Sequence, residues 1–176
     1  MSSNDAIYKI VINAPIETVW SELVKVDKVL PFFFGSVCKT TGELTVGAPF
    51  AMESVSGKYR SVVGKVLEFE PPHRYVHTFK FTAYDDDPCT VAYDLKEVDG
   101  GVEFTLTTTN VPIDTKTEKG MAQGGDLIVQ TLKSVVEEGR PKFGTRAMLA
   151  MIRLAEPFTP KSCRSDRWTF DDIHKL

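Results

Sequence analysis

GKVLEFEPPHRYVHTF, residues 64–79, decides how this chain folds. It closes one strand-like run, YRSVVGKVLEFE, and opens another, RYVHTFKFTAY, with EPPHR between them. Both runs are rich in β-branched and aromatic residues, and the paired prolines give the connector its turn chemistry. A connector this short joins neighbours, so the two runs form an antiparallel pair. Moving outward, the pattern repeats. GELTVG and PFAMESV precede it, TVAYDLKEV and VEFTLTTT follow it, and SGK, YDDDP and VDGG supply the other connectors. From Thr40 to Thr109 the sequence reads as five or six strands without a helix, an antiparallel meander.

Both flanks of the meander differ from it. IYKIVIN alternates and reads as a strand. APIETVWSELV follows as a helix, with Pro15 at its start, Glu17 in its first turn, and Ile16, Val19, Trp20 and Leu23 on one face. KVDKVLPFFFG is a short second helix or turn, halted by Pro31 and Gly35. Beyond the meander, TEKGMAQGGDLIVQTLKSVVEEG is a long amphipathic helix. Met121, Ile128, Leu132 and Val135 form its stripe, and Gly139 is its stop. This order predicts an α+β fold of the helix-grip type. A curved antiparallel sheet, apolar on its concave face, wraps the long C-terminal helix, and the two short helices close one end.

Three separated motifs, in order, resemble the START-like or SRPBCC superfamily. INAPIETVWSELV resembles its opening, in which an apolar strand runs into AP-x-E-x-VW. GKVLEFEPPHRYVHTF is similar to the Gly-x-Val strand, Glu-x-x-Pro-Pro-x-Arg turn and Thr-aromatic strand of one subfamily. That subfamily is named for activators of the ATPase of heat-shock protein ninety. GGDLIVQTLKSVVEEG corresponds to its last helix, and there Asp126 stands where a tryptophan is usual, so one helix-to-sheet contact is expected to be missing. The resemblance spans about residues 6–139 and implies a helix-grip domain over residues 1–139, with residues 140–176 as an extension packing on it or on a second subunit. For function it implies a range, from lipid carriers and polyketide cyclases to stress-response chaperone activators. A chaperone partner is therefore one expectation. Whole eukaryotic activators carry a separate N-terminal domain for which 176 residues leave no room.

Strand parity picks out the candidate site. In YVHTFKF, Tyr75, His77, Phe79 and Phe81 share one face, and Lys80 marks the other as solvent. The same reading turns Phe50 and Met52, then Tyr93, then Phe104, Leu106 and Thr108 inward. Phe32, Phe33 and Phe34, between a proline and a glycine, sit at the mouth. They either plug the open end or line it for a ligand. With Met121 and Ile128 from the long helix, these residues make an apolar face with a few polar handles. The expected ligand set is Phe32, Phe33, Phe34, Met52, Tyr75, His77, Phe79, Phe81, Tyr93, Phe104, Met121 and Ile128. His77 is the one candidate general acid or base. Nucleophile elbow, phosphate loop and HExxH are all missing, so a binding protein is preferred to an enzyme, with a cyclase- or dehydratase-like enzyme as the alternative. No cofactor is expected. His73 and His77 lie four apart but in a turn and a strand, and Asp85 to Asp87 read as a solvated hairpin tip, so no metal is expected either.

After Gly139, a helix from about Thr145 to Glu156 is apolar around much of its circumference. It is expected to pack on its own domain with one face and on a second copy with another, giving a homodimer. Lys161, Arg164 and Arg167 lie near Trp168 and Phe170 in a tail expected to fold back on the domain. The formal charge of −3, spread along the chain, argues against nucleic acid and against an anionic membrane as partners, with one local basic cluster near the end. No run is long and apolar enough for a membrane span. The opening MSSNDAIYKIVINAP has no leader features, and Cys38, Cys89 and Cys163 lack CxxC spacing, which together predict a cytoplasmic protein with free thiols. The sequence thus predicts a cytoplasmic domain holding a small apolar molecule.

Overall fold

The computed structural model describes residues 5–176; the first four residues of the expected 1–139 domain lie outside them. Strand β1 (Ala6–Ile12) leads into helix α1 (Ile16–Leu23). Pro15 caps that helix, and its buried residues are Ile16, Val19, Trp20 and Leu23, the face read from the sequence. Then come β2 (Val29–Leu30), a 3-10 turn (Pro31–Phe33), β3 (Ser36–Thr40) and β4 (Pro49–Glu53). The long strands β5 (Arg60–Glu70), β6 (Arg74–Phe81), β7 (Cys89–Val98) and β8 (Gly101–Thr109) complete the meander. They form one eight-stranded sheet in the order β1-β8-β7-β6-β5-β4-β3-β2, antiparallel at every step.

One expectation is sharpened here and one changes. The second short helix is a single 3-10 turn. Phe34 and Gly35 both take left-handed backbone, at φ 54° and 72°, so the turn cannot propagate. GELTVG is not a strand, because Gly42 and Gly47 are also left-handed and make residues 42–47 a turn; the strand falls on Ser36–Thr40 instead.

The sheet curls where its ladder is irregular, between Met52 and Glu53 against β5 and between Val66 and Glu68 against β6. Gly64 allows the tightest approach. A Cβ there would lie 2.0 Å from the Thr78 carbonyl oxygen and 2.8 Å from the Phe50 ring. The glycine of the opening motif is therefore required by contact between β5 and its neighbours.

Helix α2 (Lys116–Glu138) lies in the concave face. Thr115 caps it by accepting from the Glu118 amide at 3.1 Å, and Gly139, at φ 71°, ends it by donating to the Val135 carbonyl. A further tie was not read from the sequence. Asp86, at the β6–β7 hairpin tip, accepts from the Thr117 amide at 2.9 Å, so the YDDDP loop holds the helix N-terminus. Ile128, Val129 and Leu132 are buried in the core, while Asp126 faces solvent.

Beyond Gly139, α3 (Phe143–Ala155) has no buried residue. Three further 3-10 turns lead to α4 (Phe170–His174). There Ile173 is fully buried against Ala51 and Val63 on the convex face of β4 and β5, with Trp168 and Phe170 partly buried beside it. Arg60 pairs with Glu53 at 3.1 Å, donates to the Trp168 carbonyl and lies 4.5 Å over the Phe170 ring.

Candidate ligand site

The interior is built on β6 and β7, whose register sets Tyr75 opposite Tyr93 and His77 opposite Val91. Alternate residues of these strands point at α2. The His77 ring sits among Phe50, Tyr75, Tyr93 and Phe79, with centroids 4.8, 5.0, 5.6 and 6.4 Å away. Its Nδ1–H donates to the Thr78 carbonyl at 2.9 Å, since a carbonyl can only accept. Burial in this apolar shell lowers its pKa to about 4, against a smaller opposing effect of that hydrogen bond. His77 is thus a neutral ring at ordinary pH. Burial likewise pushes the Cys38 thiol up to about 12 and Cys89 to about 11, which makes both unreactive. All three cysteines are free and buried.

Between α2 and the sheet lies a cavity of about 40 Å3. Its sheet wall is Phe79, Phe81, Val91, Tyr93, Leu106 and Thr108, and Phe33 and Phe34 close its end. The helix wall is Met121, Ile128 and three glycines, Gly120, Gly124 and Gly125. Those glycines make the space and the contacts. A Cβ on Gly125 would lie 2.2 Å from the Tyr8 ring, one on Gly120 3.1 Å from Phe81, and one on Gly124 3.5 Å from Phe34. Each glycine costs about 1 kcal/mol relative to alanine inside a helix, so the rings resting on the bare backbone are what offset it.

Two hydroxyl-bearing residues, Tyr93 and Thr108, line this space, and both are at least nine-tenths buried. Neither hydroxyl has a hydrogen bond to a described residue. Burial holds the Tyr93 phenol well above its ordinary pKa, which keeps it a donor.

Of the twelve residues proposed from sequence, Phe33, Phe34, Phe79, Phe81, Tyr93, Met121 and Ile128 surround the cavity. Phe32, Met52, Tyr75, His77 and Phe104 do not border it; they pack in the core behind it. Of the four rings around His77, Phe79 and Tyr93 line the cavity, whereas His77 itself does not. The glycine face was missed, although its signal, KGMAQGGD inside a helical run, is visible. Among the described residues, no cluster of three His, Cys, Asp or Glu side chains could hold a metal ion.

The comparisons with known proteins agree with this architecture. CalU16 from Micromonospora echinospora superposes with a TM-score of 0.60 at 19% identity, over 84% of this chain and 82% of that one. An HSP90 activator from Plasmodium falciparum gives 0.57 at 21%, over 79% and 97%. The Aha1 dimer from Colwellia psychrerythraea gives 0.60 at 15%, over 76% and 96%. At these identities the likeness is one of fold. No curated protein matches the sequence. The family described as Activator of Hsp90 ATPase homolog 1-like protein matches residues 13–137. That span takes in α1, the whole meander and all but the last residue of α2, and the chain belongs to this family.

Proposed function

We propose that the chain binds a small, mostly apolar molecule with one hydrogen-bonding group, between the glycine face of α2 and the aromatic wall of the sheet. The observation that carries this is the pair of buried hydroxyl-bearing residues, Tyr93 and Thr108, in the lining of an otherwise apolar void. A ligand hydroxyl or carbonyl between them would gain a hydrogen bond that an apolar wall cannot give. At about 40 Å3 the void is smaller than the roughly 150 Å3 that admits benzene, so binding requires side chains to move. The half-buried lining residues Phe34, Phe81 and Met121 are the ones free to do so. Phe34 also sits in left-handed backbone, a strained state for a bulky residue, at the end of the cavity.

Binding is favoured over catalysis because no acid, histidine or cysteine lines the void. Activation of a chaperone ATPase is a second reading, carried by the family and by the HSP90 activator among the similar structures. Three free thiols suit a reducing compartment such as the cytoplasm.

Titration with 2-naphthol, followed by the methyl resonances of Met121 and Ile128, tests the proposal. The expected result is saturable shifts of both, lost in Gly124→Leu, whose side chain fills the void beside Phe34. Naphthol that leaves these methyls unmoved, or moves them equally in a folded Gly124→Leu protein, would overturn it.

A further inference from the structure

Helix α3 is oriented the wrong way for a helix in water. Phe143, Ala147, Ala150, Met151 and Leu154 fall at i, i+4, i+7, i+8 and i+11, one helical face, and every one of them is exposed. Phe143 is 83% exposed, Leu154 78% and Met151 69%, and Phe158 just beyond the helix is 87% exposed. The opposite side carries Met148 and Leu149, half-buried against the domain, with the Leu149 methyl 3.5 Å from where a Cβ on Gly35 would stand. The apolar stripe therefore points outward.

Charge distinguishes what can cover it. Between Gly139 and Ala155 the sequence has four cations, Arg140, Lys142, Arg146 and Arg153, and no acid. Arg146 and Arg153, seven residues apart, run along one flank of the stripe, and neither guanidinium has a hydrogen bond or ion pair with a described residue. A cleft of about 570 Å3 between α3 and the Val29–Gly35 segment contains both arginines, apolar side chains and no acidic residue. A second copy would have to present the same surface to itself, setting arginine against arginine with nothing on the segment to neutralise them. An outward apolar stripe flanked by unpaired arginines is instead the arrangement of a helix lying in a membrane interface, its cations reaching headgroups.

We infer that the outward face of α3 docks on a bilayer surface carrying anionic headgroups. The helix lies on the surface; no helix among the described residues is long and apolar enough to cross a membrane. Docking buries Phe143, Met151, Leu154 and Phe158 at the headgroup boundary and places Arg146 and Arg153 among the phosphates.

Co-sedimentation of the full chain with phosphatidylcholine vesicles, with and without phosphatidylglycerol, tests this. Binding is expected only with phosphatidylglycerol, and weaker at high salt. Arg146→Gln with Arg153→Gln should lower partitioning by about 30-fold, taking roughly 1 kcal/mol for each cation removed. Met151→Ser with Leu154→Ser should abolish it while circular dichroism stays native. Equal binding to both vesicles, or none by a folded wild-type protein, would overturn the inference. So would a wild-type dimer at micromolar concentration that Met151→Ser with Leu154→Ser turns into a monomer, because a second copy would then own the face.

Discussion

Both halves of the C-terminal extension carry large apolar side chains, yet these end in opposite environments. Ile173 in α4 is fully buried, whereas Leu154 in α3 is 78% exposed. Intrinsic hydrophobicity does not separate them; the surface each one meets does. The convex face of β4 and β5 offers Ala51 and Val63, fully buried once α4 is in place, and Arg60 fastens the approach by the Trp168 carbonyl and the Phe170 ring. Trp168 adds its own tie, its Nε1–H donating to the Ser162 carbonyl at 2.7 Å. Helix α3 meets the turn around Phe34 and Gly35, which receives one side and leaves the other without a partner in the chain. An extension is thus buried where the domain's outer face has an apolar socket for it.

The most forceful way to break this comparison is to empty the socket. Ile173→Ala should destabilise the protein by about 3 kcal/mol, the middle of the range for large-to-small changes at fully buried sites. For a domain of this size that lowers Tm by about 9 °C, measurable by thermal denaturation. A loss below about 1 kcal/mol would mean that α4 leaves the sheet readily in solution, and the two halves of the extension would then be alike.

Acid attacks the same molecule from its interior. The unfolded His77 titrates near 6.5 and the folded one near 4, so the fold favours the neutral ring. Its contribution is whole above pH 6.5 and is lost as pH falls towards 4, to a total of about 3 kcal/mol. Denaturant melts across that window should show about one proton more taken up on unfolding by wild type than by His77→Gln. If Trp168 fluorescence in a Trp20→Phe background is lost with the core signal, the tail is bound as one cooperative unit with the sheet. Equal pH slopes for the two proteins would place His77 in a wetter site than its ring contacts imply.

Much of this was legible beforehand. Periodicity gave the face of α1 and the alternation of β6, because each depends only on which residues recur at the period of the element; on α2 it gave Met121, Ile128 and Leu132, while Val129 and Val136, and not Val135, complete the packed stripe. The site was half legible. Phe79, Phe81 and Tyr93 follow from parity, but parity says only which face is inward and not how deep a residue lies, so His77, Tyr75 and Phe104 could not be separated from the lining. The glycine face of α2 was hidden for the opposite reason. A cavity wall made of missing side chains leaves no apolar residue to count. GELTVG misled because its alternation outweighed Gly42 and Gly47 in the reading, although their left-handed backbone decides the turn. The socket for Ile173 was beyond reach, since Ala51 and Val63 sit at positions that parity assigns to solvent.

The smallest expected effect is the sharpest test of the exposed half. Leu154→Ser in the isolated protein exchanges a leucine that is already 78% in water, so little transfer energy is at stake. What remains is helix propensity, in which serine is worse than leucine by only a few tenths of a kcal/mol. Stability should therefore fall by less than about 0.5 kcal/mol in chemical denaturation, while the paired change with Met151→Ser removes vesicle binding. The two readouts together matter more than either alone. A residue that is silent in stability and decisive in binding is a surface kept apolar for a partner. A loss above about 1.5 kcal/mol would instead show the leucine buried in solution, a cost of that size needing an enclosed site. Its dependence on protein concentration would then tell a second copy from a shift of α3 onto its own domain, since only the former obeys mass action.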